Sequence, residues 1–338
     1  MSANLCIDRL VDGGIITNYA CTSRCGHCLY GCSPNREKDY LEGEVLDSIV
    51  KTIKRLACRS VHIGGGEPFL DAESLIQTVR GIRTRGIDIE YVETNAMWYR
   101  DLEAAVDLLL QLKDAGLATL LVSISPFHNG FIPFAKVKGV MQACRRAGMR
   151  IFPWIIDFYD DIDRFDDTCT HTLQEYRDAF GPHYLRDILG RYWIHMGGRA
   201  VATYAGILGT YTADQIMRSN GRPCAELAGT GHFHIDLYGH YVPGLCSGLA
   251  IRHTHLGLEL DPQEYPLINT LYNKGIAGLL ELARTVHGYV PGGAFVNKCH
   301  LCLDIRRYLV MNVGLDSPEL APRSFYDEVW KLLPGEKP

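Results

Sequence analysis

Residues 14–28 read GIITNYACTSRCGHC, a short apolar run that passes directly into a loop carrying three cysteines. Gly14–Ala20 reads as a strand, and Cys21, Cys25 and Cys28 follow it in the spacing C-x3-C-x2-C. Downstream, Leu41, Val45, Ile49, Ile53 and Leu56 recur at helical spacing, which predicts a helix over Leu41–Ala57. Ser60–Ile63 then reads as a buried strand ending in Gly64-Gly65-Gly66. The alternation continues with helices at Ala72–Thr84, Leu102–Ala115 and Phe134–Ala147, and strands at Ile87–Glu93, Leu117–Ile124 and Arg150–Ile156. Tyr192–His195 is taken as a sixth strand.

Strands alternating with helices imply right-handed βαβ units and a parallel sheet. Six strands fit either an open partial barrel or a doubly wound sheet. In both, loops at the C-terminal ends of the strands build the site. Past about residue 206 the pattern changes: His232–Val242 (HFHIDLYGHYV) predicts a hairpin turning at Tyr238-Gly239, and helices follow near Tyr265–His287 and Leu301–Val310. The expected division is therefore an α/β domain over residues 1–205 and a small α+β domain over residues 206–338. Asp157–Asp167 (DFYDDIDRFDD) carries six aspartates whose spacing matches no calcium loop, and is expected to be a solvated acidic loop.

A chain of 338 residues with 47% hydrophobic and 22% charged residues has the composition of a soluble globular protein. A formal charge of −5 argues against a polyanion-binding surface, so nucleic acid is not the expected partner. The sequence has neither a signal-peptide pattern nor an apolar run long enough to span a bilayer, which makes no membrane partner and a reducing cytoplasm the expectation. There, twelve cysteines point to metal binding rather than disulfides. Cys6, Cys32, Cys58, Cys144 and Cys169 are scattered, and most are read as small buried hydrophobes.

Three thiolates on one short loop hold three corners of a cubane iron–sulfur cluster and leave the fourth iron open for a ligand. Zinc or a plain ferredoxin-type centre would fit the spacing alone. The context adds to it. His27 places a ring before the third cysteine, and the second strand ends in Gly65-Gly66-Glu67-Pro68. In spacing, in position after the first strand and in this GGEP segment, the chain resembles the radical S-adenosylmethionine (SAM) superfamily. The resemblance implies a partial (β/α)6 TIM-like barrel and a three-cysteine [4Fe–4S] cluster chelated by the SAM methionine moiety. Gly65, Gly66, Glu67 and Pro68 would hold its amine, with glycine backbone approaching closely and Glu67 accepting charge-assisted hydrogen bonds. Thr94 and Asn95 resemble the family's polar strand end. Ser123 and Ser125 resemble a further segment, with Ser125 standing where an Asp is usual. Gly198-Arg199-Ala200 resembles a segment in which the Arg pairs with the cofactor carboxylate or a substrate anion. Cys32 is read as a bystander, because a fourth ligand would close the cluster.

Cys224 and Cys246 flank the predicted hairpin, and Cys299 and Cys302 open a later helix. This resembles the auxiliary-cluster appendage of the SPASM/twitch enzymes in a shortened form, which implies a second [4Fe–4S] cluster on these four thiolates. Four cysteines bind zinc equally well, and that alternative stays open here. His232, His234, His253 and His255 follow no zinc pattern and are read as hydrogen-bonded surface residues.

The resemblance implies reductive cleavage of SAM to a 5′-deoxyadenosyl radical that takes a hydrogen atom from a substrate C–H bond. A flavodoxin- or ferredoxin-type protein would supply the electron. A second cluster favours net oxidation, by dehydrogenation or cross-linking, of a small molecule or a ribosomal peptide. The absence of an N-terminal leader-binding segment before Cys21 tilts the expectation towards the small molecule. Alternatives are a peptide epimerase, with Cys32 or Cys169 as hydrogen-atom donor, a radical methyltransferase or lyase, and a non-catalytic iron–sulfur or zinc scaffold.

Overall fold

Eight strands form one open sheet, in the order β5-β4-β3-β2-β1-β6-β7-β8 among the described residues. They are β1 (Gly13–Ile16), β2 (Ser60–Gly64), β3 (Asp88–Thr94), β4 (Thr119–Ser123), β5 (Arg150–Trp154), β6 (Phe233–Asp236), β7 (His240–Val242) and β8 (Ile251–Arg252). This is a computed structural model, and it describes residues 4–154 and 156–329. The outer ends of the two expected domains, and residue 155 in the expected strand Arg150–Ile156, lie outside the described residues.

β1 to β5 run parallel, joined by α1 (Gly43–Arg55), α2 (Ala72–Thr84), α3 (Leu102–Asp114) and α4 (Phe134–Ala147). Each helix buries the apolar stripe its periodicity predicts; in α1 this is Leu46, Ile49, Val50 and Ile53. The helix ends follow local chemistry. Asp71 and Asp101 accept from Ser74 N and Ala104 N as N-caps, and Gly148 closes α4 in the left-handed conformation. The fold is the α/β partial barrel expected, open rather than closed.

The sixth strand departs from expectation. Tyr192–His195 is not part of the sheet among the described residues. The sheet instead continues past β1 through β6, which pairs parallel to β1, with Gly14 opposite His234. The predicted hairpin forms β6 and β7, with Gly239 at φ +81°, and β7 pairs antiparallel to β8. β1 also stops at Ile16 instead of Ala20. The chain there turns to pair with the GGEP segment, where Gly66 N donates to Asn18 O and Glu67 N to Ala20 O.

The acidic stretch is more structured than a solvated loop. It holds short helical turns at Ile156–Phe158 and Tyr159–Ile162. Asp161 pairs with Arg191 and accepts from Tyr184, while Lys138 bridges Asp163 and Asp167.

Beyond the hairpin, α5 (Pro266–His287) breaks at Gly275, whose φ is +63° and where a Cβ would stand 2.2 Å from Arg222 O. The break lets the segment before Cys224 lie against the helix, and Cys224 N donates to Leu271 O. α6 (Lys298–Met311) follows, N-capped by Asn297.

At the start of α5 the fully buried Glu319 accepts from Leu267 N and Ile268 N. Burial nonetheless pushes its carboxyl up to about 7. Because the folded value lies above the unfolded one, the contribution is fully present below pH 4.5 and is lost as pH rises through 7, about 3 kcal/mol in all. Glu319→Gln should therefore shrink the fall in thermal midpoint between pH 5 and pH 8. An unchanged fall would assign the pH dependence elsewhere.

Candidate active site

The loop after β1 returns on itself: Cys21 N donates to Ser33 O, and Cys28 N donates to Cys25 O. This gathers Cys21, Cys25 and Cys28 on the wall of one cavity of about 460 Å³ at the C-terminal ends of the strands. Volumes of a few hundred Å³ suit a cofactor-sized ligand. Cys32, read as a bystander, lines the same cavity. Its Sγ lies 3.7 Å from Gly65 O, and it shares a hydrogen bond with Cys28. Cys169 is exposed and does not line the cavity.

Burial and the nearby Glu67 carboxylate push Cys21 up to about 12, and burial with the neighbouring thiols also pushes Cys25 up. Cys28 goes the other way: its hydrogen bond with Cys32 holds it well below the usual thiol range.

Arg199 clamps this loop. Its backbone N donates to Cys28 O, its Nε to Cys25 O at 3.0 Å and its Nη2 to Cys32 O. Thr203 Oγ1 adds a bond to Gly26 O at 2.7 Å. Gly198 allows the approach, since a Cβ there would stand 2.3 Å from Leu29 O. Two of the guanidinium nitrogens are thus committed to the loop backbone. These bonds position the loop, and the buried Nη1 has no hydrogen-bond partner.

Glu67 departs from expectation. Its carboxylate accepts from Asn95 N at 2.7 Å, Thr94 Oγ1 at 2.9 Å and Phe69 N at 3.2 Å, so it ties the GGEP turn to the end of β3. It is buried behind the cavity wall, and burial lifts it to about 7 against those three bonds. Pro68 starts a short 3₁₀ turn at Pro68–Leu70 and is likewise structural. Gly65 and Gly66 do line the cavity, and a Cβ on Gly66 would lie 1.9 Å from Ala20 O.

Asn95 faces the cysteine loop, its Nδ2 3.5 Å from Cys21 Sγ and 3.1 Å from Thr22 Oγ1. Thr94 lines the cavity, but its hydroxyl is held by Glu67 and Trp98. Ser123 lines the cavity. Ser125 instead caps the turn Pro126–Asn129, with its Oγ 2.7 Å from His128 Nδ1, which removes it from the expected cofactor contacts. His27 packs between Phe127, His128 and Tyr192 on the wall.

Glu93, read with Thr94 and Asn95 as a polar strand end that resembles the family's, lines the cavity beside several residues not picked out from the sequence. Glu93 projects from β3, pushed up to about 7 by burial and by Glu67. Trp154, Tyr192 and Trp193 form the side at the β5 edge, and Tyr30, Tyr91, His232 and His234 close the other. His234 and His253 are buried, against the expectation of surface histidines. Alternation in the strand would have found His232 and His234, because H-F-H puts both rings on one face. Burial also drives His62, next to them, down to about 3.

Cys224, Cys246, Cys299 and Cys302 ring a second cavity of about 120 Å³. Gly244, at φ +56°, brings the Cys246 turn onto Glu226 O, where a Cβ would stand 2.4 Å away. Lys298 pairs with Glu226, with its Nζ 3.9 Å from Cys224 Sγ. Burial pushes Cys224 to about 12 and Cys299 to about 11. His195 and Leu245 line both cavities.

An open, mostly parallel sheet with a three-thiol loop after its first strand places a cofactor-sized cavity at the strand ends. Residues 15–168 match the radical SAM superfamily, so the chain carries a radical SAM domain over that stretch. Its cofactors are SAM and a [4Fe–4S] cluster. No curated protein matches the chain. Among solved structures, it aligns with anSMEcpe with bound AdoMet at 14% identity and TM-score 0.42, covering 90% of this chain and 99% of that one. With SuiB of Streptococcus suis bound to precursor peptide SuiA, the values are 13% and 0.34, over 92% and 74% of the chains. With anSMEcpe bound to AdoMet and the Kp18Cys peptide, the alignment spans only 42% of each chain, at 19% identity and TM-score 0.32. No helix among the described residues is long and apolar enough to cross a membrane.

Proposed function

We propose that this radical SAM enzyme catalyses a net oxidation, a dehydrogenation or a cross-link, of a small molecule or a ribosomal peptide. When bound, the first cluster supplies the electron that splits SAM into methionine and a 5′-deoxyadenosyl radical, and that radical takes a hydrogen atom from the substrate. Cys21, Cys25 and Cys28 would hold this cluster, and Gly65, Gly66, Asn95 and Ser123 would border the cofactor. Glu93 is the carboxylate facing it. Arg199 and Glu67 fix the frame from behind. The aromatic wall of Trp154, Tyr192 and Trp193 excludes water and positions the substrate carbon.

The observation that carries the oxidative reading is the wall shared by the two cavities. Among the described residues His195 and Leu245 border both, so the first cavity adjoins the four-cysteine site. A second [4Fe–4S] cluster there would accept the electron left after hydrogen abstraction, the accompanying proton leaving to solvent or a base. The thiol spacing favours a cluster over zinc. Tetrahedral zinc with Zn–S near 2.3 Å sets sulfurs about 3.8 Å apart, whereas among the described residues no three of these thiols stand within 4.8 Å of one another. A flavodoxin- or ferredoxin-type reductant is the proposed electron source.

In protein reconstituted without oxygen, iron should measure about eight per chain and fall to about four in Cys246→Ala, with 5′-deoxyadenosine release retained. Four irons plus one zinc in wild type would remove the electron acceptor and with it the oxidative reading. Cys32 in the cavity wall favours epimerisation as the second reading. A product two hydrogens lighter supports oxidation. A product of unchanged mass that takes up one solvent deuterium, lost in Cys32→Ala, supports the epimerase.

A further inference from the structure

On the sheet, His62 of β2 and His234 of β6 are both in register with Gly14 of the strand between them. Strands flanking a central one stand roughly 10 Å apart, and a side chain at the central position would keep the two rings separate. Gly14 has none: a Cβ there would lie 2.3 Å from His62 Nε2. The rings therefore meet above it, Nε2 to Nε2 at 2.9 Å. His232, one residue before β6, stacks on His62 with ring centroids 5.3 Å apart. One ring nitrogen from each of the three lies within 4.8 Å of the others. We propose that His62, His232 and His234 form a binding site for one divalent transition-metal ion of the zinc class, separate from both cysteine sites.

Three imidazoles from two strands are a recurrent donor set for such ions, with metal–nitrogen bonds of about 2.0–2.1 Å. Two nitrogens on a tetrahedral ion lie about 3.4 Å apart at those bond lengths, so the His62–His234 pair needs to open by only a few tenths of an ångström. The surroundings supply the supporting contacts metal-bound histidines use. Tyr30 Oη is 2.7 Å from His234 Nδ1, and Tyr91 stacks on His62 at 5.1 Å. On the far side of His62, Asp12 and Glu90 carboxylate oxygens fall within 4.8 Å of it and of each other. Asp12 Oδ1 is buried with no hydrogen-bond partner, an acceptor left free beside the site.

His232 and His234 also line the cavity that holds the three-cysteine loop. A three-histidine ion leaves at least one coordination position, and that position opens into the space for substrate. It would take an oxygen or nitrogen donor of the substrate, a carboxylate or an amide, and fix it opposite the cluster.

The test is zinc binding to the cluster-loaded enzyme under anaerobic competition with a chromophoric chelator, followed by zinc-edge X-ray absorption. The expected result is one zinc per chain with nitrogen or oxygen ligands only. Affinity should fall at least about tenfold in His232→Ala, as weaker disturbances of metal shells already do. His232 is exposed, so this variant keeps the fold even if His62→Gln or His234→Gln does not, and unchanged iron per chain verifies it. Zinc held through sulfur, equal affinity in wild type and His232→Ala, or no binding at all would each overturn the proposal and leave the imidazoles as a hydrogen-bonded pair. None of these readings depends on SAM cleavage, which is measured separately as 5′-deoxyadenosine.

Discussion

Cys25→Ala should reduce 5′-deoxyadenosine release to the background of the assay while leaving a folded protein. Cys25 is the middle cysteine of the loop, the proposed central ligand, and is buried in the cavity wall between Cys21 and Cys28. Its loss leaves two thiolates for the first cluster, and iron should fall by about four per chain. The loop's path does not depend on the thiol: Arg199 Nε holds the Cys25 carbonyl, and Thr203 holds that of Gly26. Circular dichroism should therefore match wild type. Cys32→Ala is the informative companion, because this fourth thiol lines the same cavity. Release near the wild-type level in that variant assigns the cluster to Cys21, Cys25 and Cys28. Loss of iron in Cys32→Ala equal to that in Cys25→Ala would instead make Cys32 a ligand and close the iron that SAM needs.

Glu67→Ala should act on folding before it acts on cofactor binding. The substitution strands three donors at buried positions, Asn95 N, Phe69 N and Thr94 Oγ1. At about 1–3 kcal/mol for each buried group left unpaired, the loss is roughly 3–9 kcal/mol. That is a large part of the stability of an ordinary domain. Thermal midpoint and soluble yield should drop sharply, and Glu67→Gln, which keeps the shape and one acceptor, should fall between. If Glu67 instead bound the SAM amine directly, Glu67→Ala would keep its midpoint and lose only SAM affinity, measurable by equilibrium binding to the cluster-loaded protein.

The contrast between these two residues marks what could be read from the chain alone. Cys21, Cys25 and Cys28 sit within one short loop, so their spacing carries their chemistry, and the helices α2 and α4 fall where apolar periodicity places them. Glu67 and Arg199 look like cofactor ligands in the linear motif. Their hydrogen-bond partners lie 28 residues away for Asn95 and 174 for Cys25, and no local pattern reports such pairings. Tyr192–His195 has the composition of a strand, but β6 extends the sheet at the other end, beside β1. The histidine row over Gly14 is hidden for the same reason, since it exists only once β2, β1 and β6 lie side by side.

The pairing of β1 with β6 also imposes a timetable. During synthesis the cysteine loop emerges early, while His232 and His234, which close one side of its cavity, emerge only after most of the barrel helices. At roughly 5–20 residues per second the interval is some tens of seconds. Contacts so distant along the chain also form slowly. For that period the nascent thiols face solvent from the side β6 later covers, accessible to a cluster-delivery protein and equally to oxidants. Cluster insertion would then be easiest before the C-terminal half docks, and hardest into a chain that has already folded without it.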